Sequence, residues 1–119
     1  MTINNEADLG EALKNEQDTI EIEGHLISKV LKIKATGKVS WAIAIAAIGI
    51  AVAVLIASGG TGAPASGIIG GGAVAVLGLT TAISAVSIAV AAGGVGALNS
   101  LRSYEIAEQR NGKLVLKRK

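Results

Sequence analysis

The feature that most constrains this chain is a long uncharged stretch, residues 39–101, which contains no Asp, Glu, Lys, Arg or His. Small and aliphatic residues make up nearly all of it. The hydrocarbon core of a bilayer is roughly 30 Å thick, and one helical crossing takes about 20 apolar residues. Residues 39–101 are therefore long enough for two crossings and a turn. We predict a membrane α-helical hairpin, with two transmembrane helices, whose ends emerge on the same side.

A soluble fold with this stretch as its core is the alternative. Half of the residues are hydrophobic, but Phe is absent and Trp and Tyr occur once each, although aromatic side chains usually supply much of a core. Fewer residues lie outside the uncharged stretch than inside it. A soluble fold of this chain would therefore leave large apolar patches exposed, which favours the membrane interpretation.

Charge divides the rest of the chain. Residues 1–24 hold seven acids against one lysine, residues 25–38 hold four lysines and no acid, and residues 102–119 hold six bases against two acids. The sequence thus predicts three segments. They are an acidic helix and strand followed by a basic amphipathic helix (1–38), a two-span hairpin with a Gly-rich loop at 58–72 (39–101), and a basic β-hairpin (102–119).

The two charged ends predict one small cytosolic α/β cap. Polar and apolar residues alternate over 18–24, which is typical of a half-buried strand. In the tail, Asn111-Gly112 lies between two alternating segments and favours a type I′ hairpin turn. A lone hairpin is only marginally stable, so we expect the strand at 19–23 to join it, with Glu21 facing the lysines of the last strand.

Each predicted span carries a stripe of small side chains. Helices in lipid associate through small residues and side-chain hydrogen bonds. We expect the two stripes to face each other, or a neighbouring subunit, with bulky residues such as Ile48 toward lipid. The predicted helix-packing, oligomer or pore face consists of Ala42, Ala46, Gly49, Ala53, Thr80, Ser84, Ser87 and Ala91. The polar residues of the second span, Thr80, Ser84 and Ser87, have two interpretations: they form interhelical hydrogen bonds, or they line the water-filled wall of a pore.

Basic and aromatic residues flank the hairpin and predict its orientation. Amphipathic aromatic rings and cations are enriched at the membrane–water interface, and bases accumulate in the cytoplasmic loops. Bases occur at both flanks and none in the loop, so we predict an integral protein of the bacterial inner membrane with both termini cytoplasmic. Lysines at this depth favour anionic headgroups. The predicted anchors are Lys34, Lys38, Trp41, Arg102 and Tyr104.

The sequence does not indicate a nucleotide-binding, metal or catalytic site. The Gly-rich segment has no Lys-Ser/Thr after its last glycine, as a phosphate-binding Walker loop requires, and His25 is the chain's one histidine, whereas metal sites need several ligands. We therefore expect no enzyme activity, no cofactor and no metal. Beside a membrane span, the basic tail favours lipid headgroups over nucleic acid.

In composition, residues 39–101 resemble the Ala/Gly-rich hydrophobic hairpin of pore-forming colicins and glycine-zipper membrane proteins. Colicins enclose such a hairpin in a large helical bundle, and this chain has no such bundle. The leading hypothesis is a small oligomerising membrane protein that perturbs or permeabilises the bilayer. The alternatives are a membrane anchor or scaffold whose α/β cap binds a cytosolic protein, and an immunity-type accessory protein that pairs with another membrane protein.

Overall fold

The computed structural model describes residues 2–57, 76–110 and 112–118. The predicted Gly-rich loop at 58–72 and Asn111 of the predicted turn lie outside the described residues. In chain order the elements are β1 (Thr2–Ile3), α1 (Glu6–Lys14), β2 (Thr19–Glu23), α2 (Leu26–Ala35), α3 (Lys38–Ala57), α4 (Leu79–Ala92), α5 (Gly96–Ser103), β3 (Glu105–Arg110) and β4 (Lys113–Lys117).

The strands form one four-stranded sheet in the order β1-β2-β4-β3. β2 and β4 are antiparallel and bring the two ends of the chain together, which is the pairing that the sequence predicts. Ile20 lies opposite Leu116 and Ile22 opposite Leu114, and all four side chains are buried. Because successive residues of a strand point to opposite faces, this register places the aliphatic set on the side covered by helices.

The outer face of the same strand pair is charged. The carboxylate of Glu21 lies 3.1 Å from the ammonium group of Lys113. This hydrogen bond and the attraction between the two charges hold the pKa of Glu21 below its ordinary value. The short strand β1, which the sequence analysis did not predict, pairs in parallel with β2 through two residues. A bulge between Ile106 and Glu108 interrupts the pairing of β3 with β4.

Within the described residues, the second predicted span contains the 14-residue helix α4 followed by a sharp bend. α4 ends at Ala92, where Gly93 adopts a left-handed conformation (φ 88°) and donates its N–H to Val90. The axis then turns by 107° into α5. Among the described residues, α3 is long and apolar enough to cross a membrane, and the bent pair α4–α5 reaches that length only if it counts as one span. A buried core helix can have the same length and composition, so the membrane hairpin stays a prediction.

Helix α2 contacts β2, and both α1 and α2 pack on α4. α2 buries Leu26, Val30 and Ile33, the apolar spacing seen in the sequence. α1 packs on α4 so closely that a Cβ at Gly10 would lie 2.5 Å from the carbonyl oxygen of Ile88. The acidic head therefore packs against part of the uncharged stretch, in addition to forming a cap with the tail.

The C-terminus of α1 predicts a stabilising substitution. Glu16 has a left-handed φ of 53°, and the N–H groups of Glu16 and Gln17 bond the carbonyls of Leu13 and Ala12 in a Schellman arrangement. A side chain in this conformation costs about 1 kcal/mol relative to glycine. Glu16→Gly should raise the free energy of unfolding by up to that amount in urea denaturation. Lys14→Gly, inside the last helical turn, is the control and should lower it; equal losses in the two variants would contradict the assignment.

Candidate membrane-contact site

Helix α3 has two opposite apolar faces, one buried and one exposed. Trp41, Ile48 and Val52 point into the protein and are nearly inaccessible to solvent. On the other side, Ile43 and Ile50 expose 53% and 66% of their surface. Exposure rises and falls with the 3.6-residue period of the helix, so the exposed residues form one continuous stripe. We call this stripe the exposed α3 face; its members are Val39, Ala42, Ile43, Ala46, Ile50, Ala53, Val54 and Ala57.

The exposed α3 face has the length of a bilayer core. The helix has 20 residues and rises 1.5 Å per residue, so it is about 30 Å long. After Lys38 and Ser40 it contains only Ala, Gly, Ile, Val, Leu and Trp. Single exposed aliphatic side chains are ordinary on protein surfaces, whereas a contiguous apolar stripe of this extent marks contact with a partner or a membrane.

The predicted small-residue stripes do not meet within the described chain. Ala42, Ala46 and Ala53 are exposed, and Gly49 is half-buried with a Val95 methyl 4.0 Å from the position of a Cβ. The structure instead buries the bulky stripe against the rest of the protein, including Ile48, which we expected to face lipid. The correction has a physical reason. Burying an Ile or Leu side chain from water stabilises a fold far more than burying Ala, whereas small residues dominate packing only where lipid removes that drive.

The polar side chains predicted on the second span are bonded within the chain. Ser84 is buried and its hydroxyl donates to a carboxylate oxygen of Glu6 over 2.9 Å. Ser87 is half-buried and donates to the carbonyl of Ile83 in its own helix. Thr80 is exposed and Ala91 half-buried. In this conformation both hydroxyls have acceptors within the chain, and a pore wall or contact with a neighbouring subunit stays a prediction for this stripe.

Lys34 and Arg102, two of the predicted anchors, each bond to the end of the other's helix. The Lys34 ammonium donates to the carbonyls of Leu101, Arg102 and Tyr104, where α5 ends. The Arg102 guanidinium donates to the carbonyl of Ile33 in the last turn of α2, over 2.7 Å. Because the C-terminus of a helix carries unpaired carbonyls and partial negative charge, a cation stabilises each end. These two residues therefore join α2 to α5.

Trp41 and Tyr104, two further predicted anchors, belong to the same region. The Arg102 guanidinium carbon lies 4.7 Å from the centre of the Trp41 ring, a cation–π contact, and the indole N–H donates to the amide oxygen of Asn99. Tyr104 is buried and its hydroxyl donates to the carbonyl of Gln17. We call the group Lys34, Trp41, Asn99, Arg102 and Tyr104 the anchor cluster. It lies at the N-terminal end of α3, where Lys38 is exposed.

Sequence reasoning missed Asn99 and Glu6, because their partners Trp41 and Ser84 are 58 and 78 residues away. It also missed the exposed α3 face, because the period of small and bulky side chains along this helix contains no charged residue after Lys38 to show which of the two stripes is buried. Within residues 2–57, 76–110 and 112–118, no three His, Cys, Asp or Glu side chains gather as a metal ligand set.

Comparison with known proteins gives a family but no function. Residues 2–119 match the model of a family described as "Uncharacterised protein PM1101". No curated protein matches the chain, and no solved structure matches it. The exposed α3 face and the anchor cluster are therefore the features of this chain that bear on its function.

The burial of Tyr104 predicts a pH dependence. Loss of solvent around its hydroxyl raises the pKa of Tyr104 above the ordinary value of 10.0. As pH rises past 10.0, the unfolded chain loses this proton before the folded chain does, so the free energy of unfolding falls through that window. Tyr104 is the one tyrosine, so tyrosinate absorbance reports it alone. The folded chain should titrate at higher pH than the urea-unfolded chain, and coincident titrations would contradict the burial.

Proposed function

This chain belongs to the PM1101 family, and we propose that it is a non-enzymatic membrane protein whose helix α3 is embedded in the bilayer. The exposed α3 face carries this proposal, because it is apolar along the whole length of a helix that matches the hydrocarbon thickness. In water such a stripe costs free energy for every exposed Ile and Val. In lipid that cost disappears, so the membrane is the solvent in which this surface is stable.

The charged residues support an orientation for the proposed protein. Lys38 and Lys32 are exposed near the N-terminal end of α3, and a lysine close to an anionic membrane surface contributes about 1 kcal/mol to binding. The pairing of β2 with β4 joins both ends of the chain, so the segments that lead into and out of the uncharged stretch share one side. The excess of bases on these segments favours the cytoplasmic side. In this proposal the sheet lies at the cytoplasmic surface, where it is available to a protein partner.

Matched substitutions on two exposed isoleucines test the proposal. Aspartate at the centre of a membrane helix costs about 2.5–3.5 kcal/mol, so Ile50→Asp should reduce partitioning into vesicles of mixed anionic and zwitterionic lipid about a hundredfold in a flotation assay. Ile106→Asp is the control, since Ile106 is similarly exposed (45%) but lies on β3, and it should float like the natural chain. Circular dichroism checks that both variants stay folded.

Two outcomes would overturn the membrane proposal. The first is failure of the natural chain to float with these vesicles of mixed anionic and zwitterionic lipid. The second is equal loss of flotation in Ile50→Asp and Ile106→Asp. Added charge in general, and not loss of a specific contact through the exposed α3 face, would then explain the reduced flotation.

A second candidate function is an oligomeric effector that permeabilises the membrane. The observation that favours it is the position of Ala42, Ala46 and Ala53, whose small side chains lie within the exposed α3 face. Small residues allow two helix backbones to approach closely in lipid. A second copy of the chain could therefore pack on this stripe while the isoleucines beside it contact lipid.

A larger side chain at Ala46, between Ala42 and Ala53, distinguishes the oligomeric effector from a membrane protein that acts without oligomerising. Ala46→Leu should block close approach and cost about 1–3 kcal/mol of association, which lowers the oligomer mass in detergent and the leakage of vesicle contents. Ile43→Leu, a volume-conserving change on the same face, is the control and should alter neither. A monomeric natural chain, or leakage that survives Ala46→Leu, would remove support from the effector while leaving the membrane proposal intact.

A further inference from the structure

Helix α1 covers helix α4 more closely than ordinary side-chain packing allows. The buried residues of α1 include Leu9, Gly10 and Leu13. A Cβ at Gly10 would lie 2.5 Å from the Ile88 carbonyl oxygen and 2.6 Å from the Ala91 Cβ, so the backbones meet directly. The opposite side of α1 is charged and exposed, with Asp8, Glu11 and Lys14. The acidic helix thus supplies a polar outer layer to a helix that has no charge of its own.

Within the described residues, the side-chain polar contacts that join α1 to other helices run through Glu6. The carboxylate of Glu6 accepts the Ser84 hydrogen bond and lies 3.6 Å from the ammonium of Lys29 on α2. The strand at the start of this segment, β1, is paired with β2 through only two residues. With nine residues, α1 is too short to stay helical alone in water, since isolated helices below about 12–15 residues are marginal. Its structure therefore depends on α4.

We propose that residues 2–14 are a removable cover, and that binding to an anionic membrane releases them so that α4 contacts lipid beside α3. This inference rests on the proposed membrane function. In water, release exposes apolar surface of α4 and is unfavourable. In a bilayer that surface meets hydrocarbon, so the released state gains differential affinity and its population rises. Anionic headgroups also compete with Glu6 for Lys29.

The Ser84 hydroxyl, which loses Glu6 as its acceptor on release, has another acceptor within its own helix. Ser87 already donates to the carbonyl four residues earlier, that of Ile83. Ser84 lies in the same helix and can bond the carbonyl of Thr80 in the same way once Glu6 leaves, as Ser and Thr side chains do in membrane helices. Release therefore leaves no unsatisfied polar side chain from the α1–α4 contact in the hydrocarbon.

Hydrogen exchange of the natural chain provides the first test. With vesicles containing anionic lipid, backbone amides of α1 should exchange at least about tenfold faster than in buffer, as loss of local structure produces. Amides of β3 and β4, which do not pair with β1, serve as the internal reference and should keep their protection. Unchanged exchange in α1 while the chain is bound to the vesicles would overturn the inference.

A reversible lock provides the second test. The chain has no natural cysteine, so Glu6→Cys with Ser84→Cys can be bridged by a short bifunctional thiosulfonate, which a reductant reverses. A lipid-soluble photoactivated diazirine should label α3 in both states but α4 only after reduction. A matched lock at Glu21→Cys with Lys113→Cys, whose natural side chains lie 3.1 Å apart on the sheet, should leave labelling of α4 unchanged.

The labelling of α3 separates failure of the inference from failure of the function on which it rests. Suppose that α3 is labelled, and that α4 is either labelled equally in the locked and the reduced protein or labelled in neither state. The membrane proposal would then stand and the cover would be overturned. Unlabelled α3 in every state would overturn both. Labelling of α4 that appears only on reduction of the Glu6–Ser84 lock supports the cover.

Discussion

The antiparallel pairing of β2 with β4 is the contact on which the rest of the structure depends. It joins a segment near the start of the chain to one near its end, with Ile20, Ile22, Leu114 and Leu116 buried on one face. A contact between segments this distant carries a large loop-closure entropy, so the aliphatic burial and the charge pair on the outer face have to outweigh it. Once made, it confines the two ends of the uncharged stretch to one side of the protein.

The anchor cluster joins the helices that lie next to the two ends of the uncharged stretch. Lys34 bonds the end of α5 and Arg102 bonds the end of α2, so the elements immediately before α3 and immediately before β3 are tied together. Trp41 stacks on Arg102 and fixes the first turns of α3 against α5. Lys34 and Arg102, whose residue types are common at membrane interfaces, therefore act here as helix caps. This capping is compatible with the interfacial role that we propose, because a cation is stabilised both by unpaired carbonyls and by anionic headgroups.

The two apolar helices are solvated in different ways. α4 is enclosed between α1 and the body of the protein, whereas α3 keeps one entire side exposed. Both helices lack the charged face that a surface helix in water normally has. The head of the chain supplies that face to α4 through Glu6 and the exposed charges of α1. No described segment supplies one to α3, and this difference is the physical basis for proposing that α3 contacts lipid and that α1 is a cover for α4.

The sequence by itself determined the local elements and the way the ends meet. Alternation over 18–24, the Asn-Gly pair before the last strand, and the opposite charges of head and tail were sufficient to predict that β2 joins the tail hairpin, because strand period and charge complementarity are local signals. Only the tertiary structure decided which side of α3 is buried, that small residues point outward, and that Glu6 reaches Ser84. The period of small and bulky side chains in α3 is present in the sequence, but without a charged face it does not show which of the two stripes is buried. Contacts such as Glu6 with Ser84 arise from the folding of α1 onto α4, for which neither segment carries a signal of its own.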